Sequence, residues 1–270
     1  MKKLLVVLLS VAISVLFAGY VMAFTGSYIP GAGINGTPHD IPRVDTGMGY
    51  LPVTTPADTL QRVCIYCHAP HHAYRLSTAG ASGTGPIAPS DYTYLPLWNH
   101  LVTTQAFLPY YNGPDAPATG MKAAQSITSY VAIGSSSLLC LSCHDGTIGV
   151  NAYGHAPQDL ASRSTGTAVI ATQYRIGQDG YLANHHPIGF VYSDVATADP
   201  EIFPALTGTF DLTAGAQPIA NFLYGGKMEC ASCHAVHNKG NDGEKLLYVS
   251  DFRSNLCLSC HDKGAKSPIP

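Results

Sequence analysis

Eight cysteines fall into four Cys-x-x-Cys-His units, Cys64/Cys67/His68, Cys140/Cys143/His144, Cys230/Cys233/His234 and Cys257/Cys260/His261, and no cysteine is left over. Two thiols three positions apart on a helical turn can reach the two vinyl groups of one porphyrin, and the next residue then points its imidazole at the metal. The spacing is that of covalent c-type haem attachment. Zinc sites and disulfides are the rival chemistries. A zinc ribbon does not need a histidine after every second cysteine, and a disulfide framework does not need a repeated pair spacing. The sequence therefore predicts four covalently attached haem c groups, with proximal iron ligands His68, His144, His234 and His261.

Four irons closed on both sides need four more ligands, and eight of the twelve histidines remain: His39, His71, His72, His100, His155, His185, His186 and His237. After residue 23 the chain holds only Met48, Met121 and Met228, so bis-histidine ligation is expected, with lower potentials than His/Met ligation gives. His71 and His237 each follow a proximal histidine by three residues and leave the backbone on its side, so neither can cap the opposite face of its own haem. They are expected to ligate another haem and so to weld two haems into a close pair. His185 and His186 precede Pro187 in an extended stretch, where neighbours face opposite ways; His186 is preferred and His185 is the alternate. His39, beside Asp40, completes the preferred distal set, with His100 after Trp98 and Asn99 as its rival. His72 and His155 are read as surface residues. Tyrosines and Trp98 either line haem edges or pack as ordinary apolar groups.

The elements that must hold these residues are expected to be slight. Gly and Pro total 27 + 19 = 46 of 270 residues, which disfavours long regular structure. The predicted architecture is a multihaem cytochrome c: mostly loop, short helices carrying the attachment sites, few short strands, and a core of stacked haems. A first helix is expected from Thr55 as N-cap, with Pro56 next, Asp58 completing a capping box, and Leu60, Val63, Cys64 and Cys67 on one face. The second and fourth sites read as single helical turns closed by Gly146 and Gly264. Loops are expected over 76–90 and 111–120, and strands over 190–193 and 246–249.

The motifs alternate. Cys-x-x-Cys-His-Ala-x-His occurs at 64 and 230, and Cys-Leu-Ser-Cys-His-Asp at 140 and 257, which suggests a duplicated two-haem unit. Residues 1–23 read as a signal peptide, with Lys2 and Lys3 before an apolar run and cleavage after Ala23. The organisation expected is a tetrahaem domain over 24–270: an N-terminal arm at 24–60, a first two-haem unit at 64–145, an insertion with a distal ligand at 146–229, and a second two-haem unit at 230–262. With 270 − 23 = 247 residues for four haems, the haems must share walls. Twelve basic against seventeen acidic side chains after cleavage make a nucleic-acid partner improbable, and no membrane span is expected in the mature chain. Charged residues are only 11% of the chain, so something other than a charged coat must keep it soluble, or much of its surface is covered.

In order, Cys-Ile-Tyr-Cys-His-Ala-Pro-His71, Pro96-Leu97-Trp98-Asn99, Cys-Leu-Ser-Cys-His-Asp-Gly-Thr147, His186-Pro187-Ile188-Gly189-Phe190, Cys-Ala-Ser-Cys-His-Ala-Val-His237-Asn238 and the final Cys-Leu-Ser-Cys-His261 resemble the doubled Cys-x-x-Cys-His multihaem cytochromes. The likeness covers residues 39–262 and is nearest to the extracellular tetrahaem cytochromes of metal-reducing bacteria. That resemblance implies homopolymerisation into filaments, a continuous row of bis-histidine haems, and one axial histidine crossing between subunits. It further implies exchange of electrons with other cytochromes and with extracellular acceptors such as metal oxides, at the cell surface or, alternatively, in the periplasm. The expectation is thus an electron-transfer protein rather than an enzyme. A monomeric periplasmic shuttle and a multihaem reductase are the competing readings, the latter needing an open iron position.

Overall fold

The computed structural model of the chain describes residues 28–44, 58, 60–71, 97–108, 110, 135–154 and 168–267. The expected signal peptide, Met48, Thr55, Pro56, His72, Met121, His155 and the expected loops 76–90 and 111–120 lie outside the described residues.

Among the described residues five α-helical segments occur in chain order: α1 (Ile41–Val44), α2 (Ser135–His144), α3 (Tyr192–Ala198), α4 (Cys230–Cys233) and α5 (Asn255–Cys260). Four strands among the described residues make two small antiparallel sheets. β1 (Phe190–Val191) pairs with β4 (Lys227–Met228), and β2 (Thr209–Leu212) with β3 (Gly215–Pro218) in a hairpin. Among the described residues no helix is long and apolar enough to cross a membrane. The rest is turn and single-turn 3₁₀ helix, in keeping with the Gly and Pro content.

Several local expectations change. The helix expected from Thr55 is replaced by a 3₁₀ turn at Val63–Tyr66. Gln61 takes φ +51°, which an α-helix cannot continue through, and Asp58 folds onto Arg62 instead of capping: its carboxylate accepts the Arg62 backbone N–H at 2.7 Å and the guanidinium at 2.6 Å. The second attachment site is not a single turn, since α2 runs ten residues into it, although Gly146 at φ +78° does close the helix. At the fourth site α5 ends on Cys260, with His261 already extended, so Gly264 lies beyond the stop. The 190–193 strand stops at Val191, where α3 begins. At 246–249 no strand forms: Lys245 and Leu246 sit at φ +54° and +60°, and pairing shrinks to one bridge between Leu247 and His234.

The apolar packing is divided. The largest cluster joins Phe190, Tyr192, Val195, Ile202, Phe210, Ile219 and Met228 to Val249, which lies between the third and fourth Cys-x-x-Cys-His units, with Cys233, Leu256 and Cys260 against it. Smaller clusters gather Trp98, Val102, Leu138 and Leu139 beside Cys67, and Val150, Ala168 and Ile170 beside Cys143. Each abuts a cysteine of a Cys-x-x-Cys-His unit.

Candidate haem-attachment sites

The first unit is held by a short ladder. Asn99 N–H donates to the Cys67 carbonyl and Ala69 N–H to that of Leu97, both at 2.9 Å, and the Asn99 amide donates to Ile65 O at 2.6 Å. His68 N–H closes the turn onto Cys64 O at 2.8 Å. Trp98 is thereby fixed with its ring centre 6.5 Å from that of His68, and its indole N–H is buried without an acceptor among the described residues.

The second unit hangs from α2. Ser142 donates to Leu138 O at 2.8 Å and accepts Thr103 N–H at 2.9 Å. Buried Asp145 accepts the Thr103 hydroxyl at 2.5 Å and both the backbone and the hydroxyl of Thr147 at 2.8 Å. The repeated Ser and Asp of Cys-Leu-Ser-Cys-His-Asp were the visible signal for these bracing roles. At the fourth unit only the serine repeats the part: Ser259 donates to Asn255 O at 2.9 Å, while Asp262 is exposed.

The third unit is packed on the second through α4 and α2. Ser137 accepts the Cys230 N–H at 2.9 Å and donates its hydroxyl to the Glu229 carboxylate. The Cys140 and Cys230 thiols share a hydrogen bond, which together with burial pushes the Cys140 thiol far up. Burial likewise raises Cys67, Cys143 and Cys233 to about 12 and Cys260 to about 11. These five thiols are the reverse of the exposed, low-pKa thiolate that a Cys-x-x-Cys redox motif needs, whereas the bond from Cys140 lowers Cys230. All eight cysteines are unpaired, so no disulfide framework is present.

Histidines from separate segments face one another across gaps. His39 stands opposite His144 with ring centres 6.2 Å apart and planes at 73°. His237 stands opposite His68 at 6.0 Å and 28°, and His186 opposite His261 at 6.4 Å and 78°. In each pair one ring belongs to a Cys-x-x-Cys-His unit and the other comes from elsewhere. The Nδ1 atoms of His39, His186 and His234 lie 3.2, 3.0 and 3.1 Å from the carbonyls of Val236, Pro187 and Lys245. With Nδ1–H donated to a carbonyl, Nε2 is left bare for a metal. Burial, and then neighbouring His39, lower His144 to about 4, so its imidazole is neutral, the form that ligates.

The other candidates are placed differently. His100 is fully buried, with Nδ1 2.7 Å from Leu101 O and Nε2 2.9 Å from Gly149 O, so the ring is wedged between two backbone carbonyls, and in its neutral form it donates an N–H to one of them. His185 is half-buried just before His186, and His71 is exposed at the end of the first unit.

These residues fit a haem. An imidazole nitrogen binds a metal at about 2 Å, and the ring centre lies about 1.1 Å behind it, so two rings closing one iron stand about 6.2 Å apart. The observed 6.0, 6.2 and 6.4 Å bracket that separation.

Sequence reasoning missed the seat of the N-terminal arm. Asn238, buried and at φ +49°, donates to Ile29 O and Gly33 O at 2.8 Å and accepts Gly31 N–H at 3.1 Å. Its position directly after His237 was the only signal. Residues 224–266, which contain the third and fourth units, match the family described as the doubled CXXCH motif, and this supports a multihaem c-type cytochrome with covalently bound haem c. No curated protein matches the chain.

Proposed function

We propose that this chain is an electron-transfer protein with four haem c groups, each iron closed by two histidines, and that it works as a polymeric conduit outside the cell. The carrying observation is the set of facing pairs His39/His144, His68/His237 and His186/His261. Ordinary ring packing falls in the same distance range. Ligation is favoured because every pair takes one ring from an attachment unit and one from another segment. His71 is assigned to His234: the first and third units share one pattern, and His237 of the third already faces His68 of the first. His100 leaves the ligand set, its ring being wedged between the carbonyls of Leu101 and Gly149. Bound haem c supplies one-electron chemistry at iron. The chain fixes the imidazoles and ties the second and third attachment helices together.

The filament, its delivery of respiratory electrons to acceptors such as metal oxides, exchange with partner cytochromes, and the surface location rest on the resemblance of the ordered motifs. One observation favours a monomeric shuttle: the arm bearing His39 folds back onto its own chain through Asn238 and Val236. Electron microscopy of the native protein separates the two, filaments supporting the conduit and monodisperse particles the shuttle. Electron paramagnetic resonance with mass measurement tests the shared claim. Four haems and wholly low-spin spectra are expected; a high-spin signal in the untreated protein would instead favour a reductase.

A further inference from the structure

Glu229 is 1% exposed, immediately before Cys230 at the start of α4. It forms a capping box with Ser232, whose hydroxyl accepts the Glu229 N–H at 3.0 Å. Across the helix contact it takes a hydrogen bond from Ser137, which stands three residues before Cys140 on α2. The serine oxygen accepts the Cys230 N–H at 2.9 Å and its proton is directed to the carboxylate. The carboxylate also accepts the Ser232 backbone N–H in the capping box. Hydrogen bonds donated to a carboxylate favour its ionised form.

We propose that the Glu229 carboxylate is an electrostatic tuning group for the two haems attached through Cys140 and Cys230, holding both at lower potentials than they would otherwise have. This rests on the haem reading above. Reduction adds an electron, and a fixed negative charge in a poorly polarisable interior opposes that addition. Glu229 belongs to the junction of α2 and α4, so it acts on both attachment sites, while the first and fourth sites stand on other segments.

The test is spectroelectrochemical titration of full-length holoprotein carrying Glu229→Gln, after mass measurement has counted its haems. With four haems attached and low-spin, two of the four midpoints should rise and two should stay; Glu229→Asp, which keeps the charge, should restore values close to wild type. Four unmoved midpoints in a fully loaded Glu229→Gln protein overturn the proposal. A purely structural role would lower stability or haem content and leave the midpoints alone. If Glu229→Gln loses haem, Ser137→Ala serves instead: it removes a donor that favours the ionised carboxylate, so the same two midpoints should rise, and unmoved or lowered values overturn the proposal. A wild-type chain lacking haem at Cys140 or Cys230 would defeat the haem reading itself, a different result from either.

Discussion

Replacing Asn238 by alanine should release the N-terminal arm and, with it, His39. The side chain makes three hydrogen bonds to the arm, to Ile29 O, Gly33 O and Gly31 N–H. Each such bond contributes about 1 kcal/mol net, so roughly 3 kcal/mol is lost. Asn238 also sits at φ +49°. Asparagine tolerates that conformation better than alanine does, which adds about 1 kcal/mol. A total of about 4 kcal/mol weakens arm docking on the order of a thousandfold. Three contacts survive the change: Gly33 N–H to Asn238 O at 2.7 Å, Leu246 N–H to the Tyr28 hydroxyl at 2.5 Å and His39 Nδ1 with Val236 O at 3.2 Å. The arm should therefore fray locally while the chain stays folded. Hydrogen exchange at the Gly31 and Gly33 amides should accelerate by about that factor, and one haem, the one ligated by His144, should gain high-spin character. Wild-type exchange rates with all haems low-spin would refute the reasoning.

His186→Ala and His237→Ala should each turn one haem high-spin while all four stay attached, as seen by electron paramagnetic resonance and mass. His100→Ala should leave every haem low-spin yet lower stability by about 1 kcal/mol through the one buried hydrogen bond a neutral ring donates, read from thermal unfolding. Hydrogen bonds from the Arg62 side chain, more than any other cause, hold the Asp58 carboxyl at about 2 against the usual 3.8. A depressed carboxyl stabilises above its unfolded value and loses that contribution as pH falls through the folded one. Between pH 4 and pH 2 the turn before the first attachment unit should loosen, with faster exchange of the Arg62 amide, and Asp58→Asn should abolish this pH dependence. Phe210→Ala, in the largest apolar cluster, should cost about 3–5 kcal/mol in thermal unfolding.

What was legible in the sequence is what short spacing determines. The doubled Cys-x-x-Cys-His pattern that the family match over residues 224–266 supports follows from residues a few positions apart. Contacts over long separations were not readable. His100 could be judged only once Gly149 O was seen against its ring, and the seat of the arm joins residues 29–33 to Asn238. Local rules also failed where left-handed residues intervened. Gln61 broke the helix expected from Thr55, and Lys245 with Leu246 broke the strand expected at 246–249, because these side chains give no sign of positive φ in sequence. The β2–β3 hairpin was missed although Thr-Phe-Asp-Leu alternates in polarity and Thr213-Ala214-Gly215 offers a turn. Nothing in the sequence marked Glu229; only the packing of α4 on α2 buries it.

The most direct test is a density map of the haem-loaded protein, sharp enough to identify the side chain on each face of every iron. It should place His39 across from His144, His237 across from His68, and His186 across from His261. An iron beside His68, His144 or His261 with an empty second face or a different residue there, or fewer porphyrins than attachment units, would contradict this account.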